Sequence, residues 1–368
     1  MNDDYNRDLY CICGLPFDAI TSIEAASKVI ESVENRNQCF LSTPNLNFLI
    51  ACEKDVDFRD SVINSELSIA DGMPIIWIAR LLGLPFQDRI AGSSLFEQLG
   101  KATDAKKILK VFFFGGEEGI AKRACEKIAQ LYPAMRCGGY INPGFYSAYE
   151  MSKTEYIQII NASQSDFLVV SLGARKGQAW IENNRNFLSV PVISHLGAVI
   201  NFVAGSVKRS PIIMQKMGLE WLWRIKEEPN LWRRYLHDGF ALIRLLVNKV
   251  FPYALWMKMN RRHISYEKPV IEKVANSQSN EVHLRLLGSF HQEALEEFRS
   301  ILRDLAKNQQ NLILDLSGVS YIDSAFLGLI LIHRKHCVSL GKTIEFKHIP
   351  TDVRKIFNWC GANFLLEA

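Results

Sequence analysis

The first two thirds of the chain alternate between short, wholly apolar runs and longer amphipathic ones. Gln38–Ser42 reads as a strand that stops at the turn-forming Thr43-Pro44-Asn45, with a helix over Asn47–Phe58. Leu67–Ile69 is a short buried strand ending at Asp71-Gly72, Ile75–Leu82 is a helix closed by Gly83-Leu84-Pro85, and Ser94–Thr103 is another helix. Ile108–Phe114 runs into Gly115-Gly116 and a helix over Gly119–Leu131; Phe167–Leu172 runs into Gly173; Val190–Ser194 stops before Gly197. Fully apolar strands separated by helices predict an α/β fold with a parallel sheet covered on both faces. Ligands sit at the carboxyl ends of strands in such sheets, and each polar motif in this region follows a strand.

A second pattern begins near residue 281. Val282–Leu287, Leu312–Leu316 and Thr343–His348 read as strands, and His291–Lys307, Ala325–Leu340 and Thr351–Trp359 as helices. This order predicts a small, self-sufficient α/β domain, joined to the rest by the polar stretch 263–280, read as a linker. A length of 368 residues fits two domains.

Composition excludes global disorder: 48% of residues are hydrophobic and 22% charged. The net charge of +4 gives no reason to expect a nucleic-acid partner, but it is unevenly spread. Residues 205–262 hold twelve Lys and Arg against four Asp and Glu, a net +8, which leaves the remainder at −4. Four of the seven tryptophans also lie there. A basic, tryptophan-bearing amphipathic segment suits an anionic membrane surface, with Arg209, Trp221, Arg224, Trp232, Arg233 and Arg234 as docking residues. The alternative is a helical cap whose aromatics are core.

The chain starts MNDDYNRD, without the basic start and apolar run of a signal peptide. No stretch reaches the roughly 18 uncharged apolar residues of a spanning helix. The expectation is a cytoplasmic protein peripherally associated with the inner face of the membrane. Eight scattered cysteines read as buried thiols of a reducing compartment, Cys11-Ile12-Cys13 being too tight for a zinc knuckle. Asp55-Val56-Asp57 falls within the predicted helix, where side chains two apart diverge, so no metal site and no cofactor are expected.

Four motifs carry candidate chemistry. Thr43-Pro44-Asn45 is a hydrogen-bonding corner or a plain helix N-cap. Asp71-Gly72 offers a carboxylate that could take a proton from an attacking hydroxyl, or is an ordinary turn. Gly115-Gly116 before a helix could seat a diphosphate on free N–H groups, or simply turn the chain. Gly173 to Gln178, read as a loop, brings Arg175, Lys176 and an amide to the cleft edge. In the last domain, Ser324 opens a helix, where an added phosphate would meet favourable N–H groups, or it is only a cap.

These stretches, together with Arg89 to Phe96, Gly197-Ala198, Ala204-Gly205, Lys208 to Pro211, Gly218 to Leu222 and Glu228-Pro229, resemble the WecG/TagA/CpsF family of bacterial glycosyltransferases. The resemblance covers about residues 8–245. It implies a Rossmann-like core over 1–204 and a basic membrane-docking appendage over 205–262. It also implies inverting, metal-independent transfer of a sugar from a UDP-sugar (N-acetylmannosamine-, glucose- or related hexose-type) to a polyprenyl-diphosphate-linked saccharide, as in exopolysaccharide or surface-glycan synthesis. Asp71 matches the family's proposed general base, Thr43 and Asn45 its substrate pocket, and Arg89 an arginine that helps with the diphosphate. Gly115, Gly116, Gly173, Lys176 and Gln178 complete the expected substrate-binding set. The family's Pro-Lys-Gln-Glu is Arg175-Lys176-Gly177-Gln178 here, so its glutamine falls on Gly177.

Residues 281–368 resemble a STAS domain, the fold of anti-sigma-factor antagonists, carried by Asp315, Asp323 and Ser324. That resemblance implies a protein-binding module in which Ser324 matches a phosphorylated position. A catalytically degenerate scaffold signalling through this module is the alternative function, and homo-oligomerisation stays open.

Overall fold

The computed structural model describes residues 4–102, 108–260, 269–274 and 281–367. The chain separates into two compact units, one of Ile20–Ile76 and Gln87–Phe240, the other of Met1–Ala19, Trp77–Phe86 and Ala241–Ala368. In chain order the strands are β1 (Leu9–Ile12), β2 (Leu15–Asp18), β3 (Cys39–Ser42), β4 (Leu67–Ser68), β5 (Leu109–Gly115) and β6 (Met135–Ile141). They continue with β7 (Phe167–Ser171), β8 (Val192–His195), β9 (Val270–Val274), β10 (Glu281–Phe290), β11 (Asn311–Ile322) and β12 (Ile344–Lys347).

The larger unit is built on a six-stranded parallel sheet in the order β4-β3-β8-β7-β5-β6. Its central strands are apolar over most of their length because they are buried on both faces. Val111, Phe113 and Val169 enter one hydrophobic core, while Phe112, Phe114, Leu168 and Val170 enter the other. Trp180 is fully buried on the second face and stacks on Phe114 at 4.2 Å.

Three local differences from the sequence reading have clear causes. The helix expected over 47–58 is two helices, Leu46–Cys52 and Val56–Ile63, because Asp55 caps the second and accepts the Phe58 N–H at 3.0 Å. The edge strand β6 went unpredicted, since its sequence MRCGGYI is half-exposed and carries no apolar run. It also brings Cys137 to Cys125 of helix Ile120–Leu131 as a disulfide, with the Cα atoms 5.1 Å apart, so two of the eight cysteines are not free thiols. The other six are free and buried.

The smaller unit has a four-stranded sheet, β12-β11-β10-β9, in which β9 alone pairs antiparallel. Strand β9 lies inside the stretch read as linker; residues 263–268 and 275–280 of that stretch lie outside the described residues. The helix Ser324–Ser339 is buried from Ser324 to His333, because the hairpin β1-β2 lies against it. Gly328 permits the approach: a Cβ there would stand 2.6 Å from the Leu9 carbonyl oxygen. Ser324 is 1% exposed and its Oγ donates to the Cys11 carbonyl at 2.7 Å. Tyr5 bonds His333 Nδ1 through its hydroxyl at 2.8 Å and stacks on His336, while Asp4 pairs with Lys335 at 2.8 Å. Burial opposes the Asp4 charge, but His336, Lys335 and Arg7 hold its carboxyl well below the usual range.

Part of the basic appendage also belongs to this unit. Tyr253 stacks on Trp359 and Trp256 on Tyr321, at 5.8 and 6.1 Å. The compact units therefore cut across the sequence boundaries at 204 and 262. The helical run Pro229–Asn260 is 32 residues long, has a mean hydropathy of 1.3 over its most apolar stretch, and is long and apolar enough to cross a membrane. A search for uncharged stretches misses it because Arg244 and Lys249 interrupt the apolar residues.

A charge placed at the Ser324 hydroxyl position should free the hairpin. An uncompensated buried charge costs about 3–5 kcal/mol, so Ser324→Asp is expected to raise the open population by roughly 100-fold or more. Limited proteolysis within residues 1–19, compared with wild type, checks it.

Candidate active site

The motifs singled out in the larger unit gather on the carboxyl rim of its sheet. Strands β4 and β3 are neighbours, and their exits clasp one another: the Asp71 N–H donates to the Pro44 carbonyl at 3.0 Å. Asn45 caps helix Leu46–Cys52, accepting from the N–H groups of Asn47 and Phe48 at 3.0 and 3.3 Å. The structural explanation of that corner therefore holds for the Asn45 carbonyl oxygen. Thr43 is buried against Gly92, where a Cβ would come within 3.0 Å of the Thr43 methyl.

Asp71 is the centre of this rim. It keeps partial exposure, yet protein surrounds the carboxyl closely enough that burial pushes it up from 3.8 to about 6. Arg89 pulls the other way, Glu220 reinforces the rise, and the Gly92 N–H and the Arg224 charge favour the ionised form. Arg89 is itself ion-paired with Glu220, which also accepts from Ser210 Oγ at 3.2 Å. Arg209 pairs with Glu97 and donates to Ser94 Oγ at 2.6 Å. The Asp71 carboxyl is thus raised to about 6 while Arg89, Arg209 and Arg224 interact with its charge, an arrangement able to accept a proton near neutral pH.

Two residues expected to dock at the membrane, Arg209 and Arg224, also act on this rim. The Arg209 side chain is turned inward by Glu97 and Ser94, and the Arg224 charge is felt by Asp71. Trp221, Trp232, Arg233 and Arg234 are exposed.

The glycine motifs serve the backbone first. Gly115 has φ +99°, and a Cβ would come 2.5 Å from the Ser171 carbonyl, which accepts the Gly116 N–H at 2.8 Å. Gly173 to Gln178 is no loop. Gly173 is the N-cap of helix Ala174–Asn184, and a Cβ on it would meet open space. Lys176 is exposed and donates to the Tyr146 carbonyl at 3.1 Å, and Arg175 faces Asp55 at 3.7 Å. Gln178 is fully buried and donates to Ser42 Oγ at 3.1 Å, tying the helix to β3. Among the described residues no group of three or more His, Cys, Asp or Glu could hold a metal ion.

Sequence reasoning gave no role to Glu220, although an acid opening a helix within a strongly basic segment was the available signal. It also passed over His195, the polar end of an otherwise apolar strand.

A transfer that needs ionised Asp71 should rise with pH through an apparent value near 6. Glu220→Gln removes the negative charge that raises Asp71 and releases Arg89. It is expected to move the acid limb to lower pH, as read from the pH dependence of kcat/KM.

Comparison with known proteins gives this geometry a family. An N-acetylglucosaminyldiphosphoundecaprenol N-acetyl-beta-D-mannosaminyltransferase of Bacillus subtilis (strain 168) is 29% identical over 205 residues, covering 55% of this chain and 77% of the relative. Proteins with the same description from Bacillus spizizenii and Staphylococcus aureus (strain NCTC 8325) are 27% and 23% identical over 218 residues, each aligned over 82% of the relative. They cover 57% and 58% of this chain. The phosphorylated form of the Bacillus cell fate determinant SpoIIAA is 18% identical over 26% of this chain and 88% of that one, with a TM-score of 0.23. Residues 274–367 match the model described as Mlab, STAS domain. Residues 10–254 match the glycosyl transferase WecG/TagA/CpsF family model, and the chain belongs to that family of transferases.

Proposed function

We propose that the protein transfers a sugar, with inversion, from a UDP-sugar to a polyprenyl-diphosphate-linked saccharide in the synthesis of a surface glycan or exopolysaccharide. The observation that carries this reading is the Asp71 carboxyl, raised to about 6 on the strand rim among Arg89, Arg209 and Arg224. Asp71 takes the proton of the acceptor hydroxyl as that oxygen bonds to the anomeric carbon. The bond from that carbon to the diphosphate oxygen breaks on the opposite face, and its electron pair leaves on UDP. Guanidinium groups suit a diphosphate leaving group because their planar donors match its oxygens. The names of the relatives, which specify N-acetylmannosamine and an N-acetylglucosaminyl diphosphoundecaprenol, support an N-acetylhexosamine as the sugar class.

The acceptor's lipid places the reaction at a membrane surface. Trp221 and Trp232, at 41% and 50% exposure, and the exposed Arg233 and Arg234 supply the apolar and cationic surface for peripheral docking on anionic lipid. The STAS domain serves regulation or partner binding. Phosphorylation at Ser324 is coupled to release of the hairpin, because a phosphoryl group does not fit within the 2.7 Å contact to Cys11.

Asp71→Asn is expected to lower transfer by roughly 10²–10⁴ while UDP binding, measured by calorimetry, persists. Undiminished turnover removes Asp71 from its role, and a wild-type chain that binds no UDP removes the transferase reading. The folded-state carboxyl lies above its ordinary value, so stability is lost as pH rises from about 4 to about 6. The same variant should therefore melt higher than wild type at pH 7.

Peripheral docking predicts release from membranes by high salt. It also predicts weaker binding of the double variant Arg233→Glu, Arg234→Glu to phosphatidylserine vesicles, at about 1 kcal/mol per lost basic charge. A chain retained in the membrane after salt and alkaline washes would mean that the run Pro229–Asn260 is inserted.

A further inference from the structure

On the rim that carries Asp71, His195 Nε2, Gln178 Oε1 and Arg209 Nε are shielded from solvent and have no hydrogen-bond partner among the described residues, and His195 Nε2 is the one on a ring walled by glycines. His195 ends β8, the strand paired with β3 on one side and β7 on the other. Two glycines make the slot that holds the ring. A Cβ on Gly177, in the first turns of helix Ala174–Asn184, would stand 2.2 Å from His195 Cδ2 and 3.2 Å from Nε2. A Cβ on Gly197 would stand 3.3 Å from Nε2. The imidazole thus occupies the space that any side chain at position 177 would need.

The ring is connected to the base by packing. Leu196, the next residue, fills the space beside Gly92, where a Cβ would come 2.5 Å from Leu196 Cδ2. Gly92 is the residue whose N–H holds the Asp71 carboxyl. His195, Thr43 and Asp71 therefore follow or end three adjacent parallel strands, β8, β3 and β4.

The chemistry of the ring narrows what it can take. Burial pushes the imidazole down to about 4, so it is neutral at physiological pH. A neutral imidazole offers one N–H and one bare nitrogen, the tautomer being set by the partner. It suits a neutral polar group, whereas a diphosphate calls for the arginines. A buried nitrogen left unpaired is unfavourable, and a substrate group that satisfies it gains selectivity over one that does not.

We propose that His195 is a specificity-determining residue of the transfer, its Nε2 hydrogen-bonding a hydroxyl or acetamido group of a hexose substrate on the carboxyl rim of the sheet, with the ring seated where Gly177 leaves room for it. This rests on the transferase reading above. The hexose belongs to either the donor or the acceptor, and the two are separated by which KM responds.

The test compares wild type, His195→Phe, which keeps a ring in the slot without its nitrogens, and His195→Gln, which restores a polar amide. His195→Phe is expected to lower kcat/KM about 10–100-fold, mainly through the KM of one sugar substrate. UDP affinity and the acid limb of the pH profile should stay as in wild type. His195→Gln should recover part of the loss, which a purely space-filling role would not allow. If His195→Phe melts far below wild type, the comparison rests on His195→Gln and on Gly177→Ala, which crowds the ring and should also raise the affected KM. Unchanged kcat/KM toward both substrates in the folded variants overturns the proposal while leaving the transferase reading intact. A wild-type chain with neither transfer nor UDP binding overturns both.

Discussion

Desolvation of one carboxyl organises the larger unit. Asp71 is useful as a base only if its proton affinity is raised, and burial raises it by removing water that stabilises the charge. Burial alone would raise the group further. Arg89, Arg224 and the Gly92 N–H bring it back into a working range, and Glu220 limits how far Arg89 pulls. The features around the rim follow from that balance. Gly92 has no side chain because Thr43 and Leu196 close on it from two sides. Arg209, whose charge interacts with the Asp71 carboxyl, is held in place by Glu97 and Ser94. Such a site stores an unfavourable interaction in the folded state, which the two apolar cores offset.

The fold was legible where burial was complete. Strands β3, β5, β7 and β8 are apolar on both faces, and their sequences contain no competing periodicity. Edges were not legible: β6 is half-buried around two glycines with only Met135 buried, and β9 is mostly exposed. Asp71 and Thr43 could be picked out because they follow strands, and Arg89 because its motif resembles the family's. Glu220 and His195 could not, because each acts through residues distant in sequence. Glu220 meets Arg89 across the fold, and the importance of His195 appears only once Gly177 is seen to lie beneath its ring. Gln178 adds a structural role that its motif did not reveal, since its Nε2 joins a helix to a strand while its Oε1 has no partner among the described residues.

Charge followed the same division. The +8 segment looked like a single surface, but its members differ in what they face. Arg209 and Arg224 contribute to the electrostatics of the site, while Arg233 and Arg234 remain in solvent. Net charge over a window reports neither outcome, because a short helix can present one arginine inward and the next outward.

The hairpin at the start of the chain has a consequence for how the protein is made. Its residues pack on helix Ser324–Ser339 and on the turn at Cys360-Gly361, so their burial depends on sequence near the other end. During synthesis from the N-terminus, the first strands of the chain emerge long before their packing partner exists. Leu9, Ile12, Leu15 and Phe17, all buried in the finished protein, must wait exposed until the last helices have left the ribosome. The linear order of the transferase and STAS regions is therefore not the order in which structure can close, and a gene cut between them would remove the surface that the opening hairpin needs.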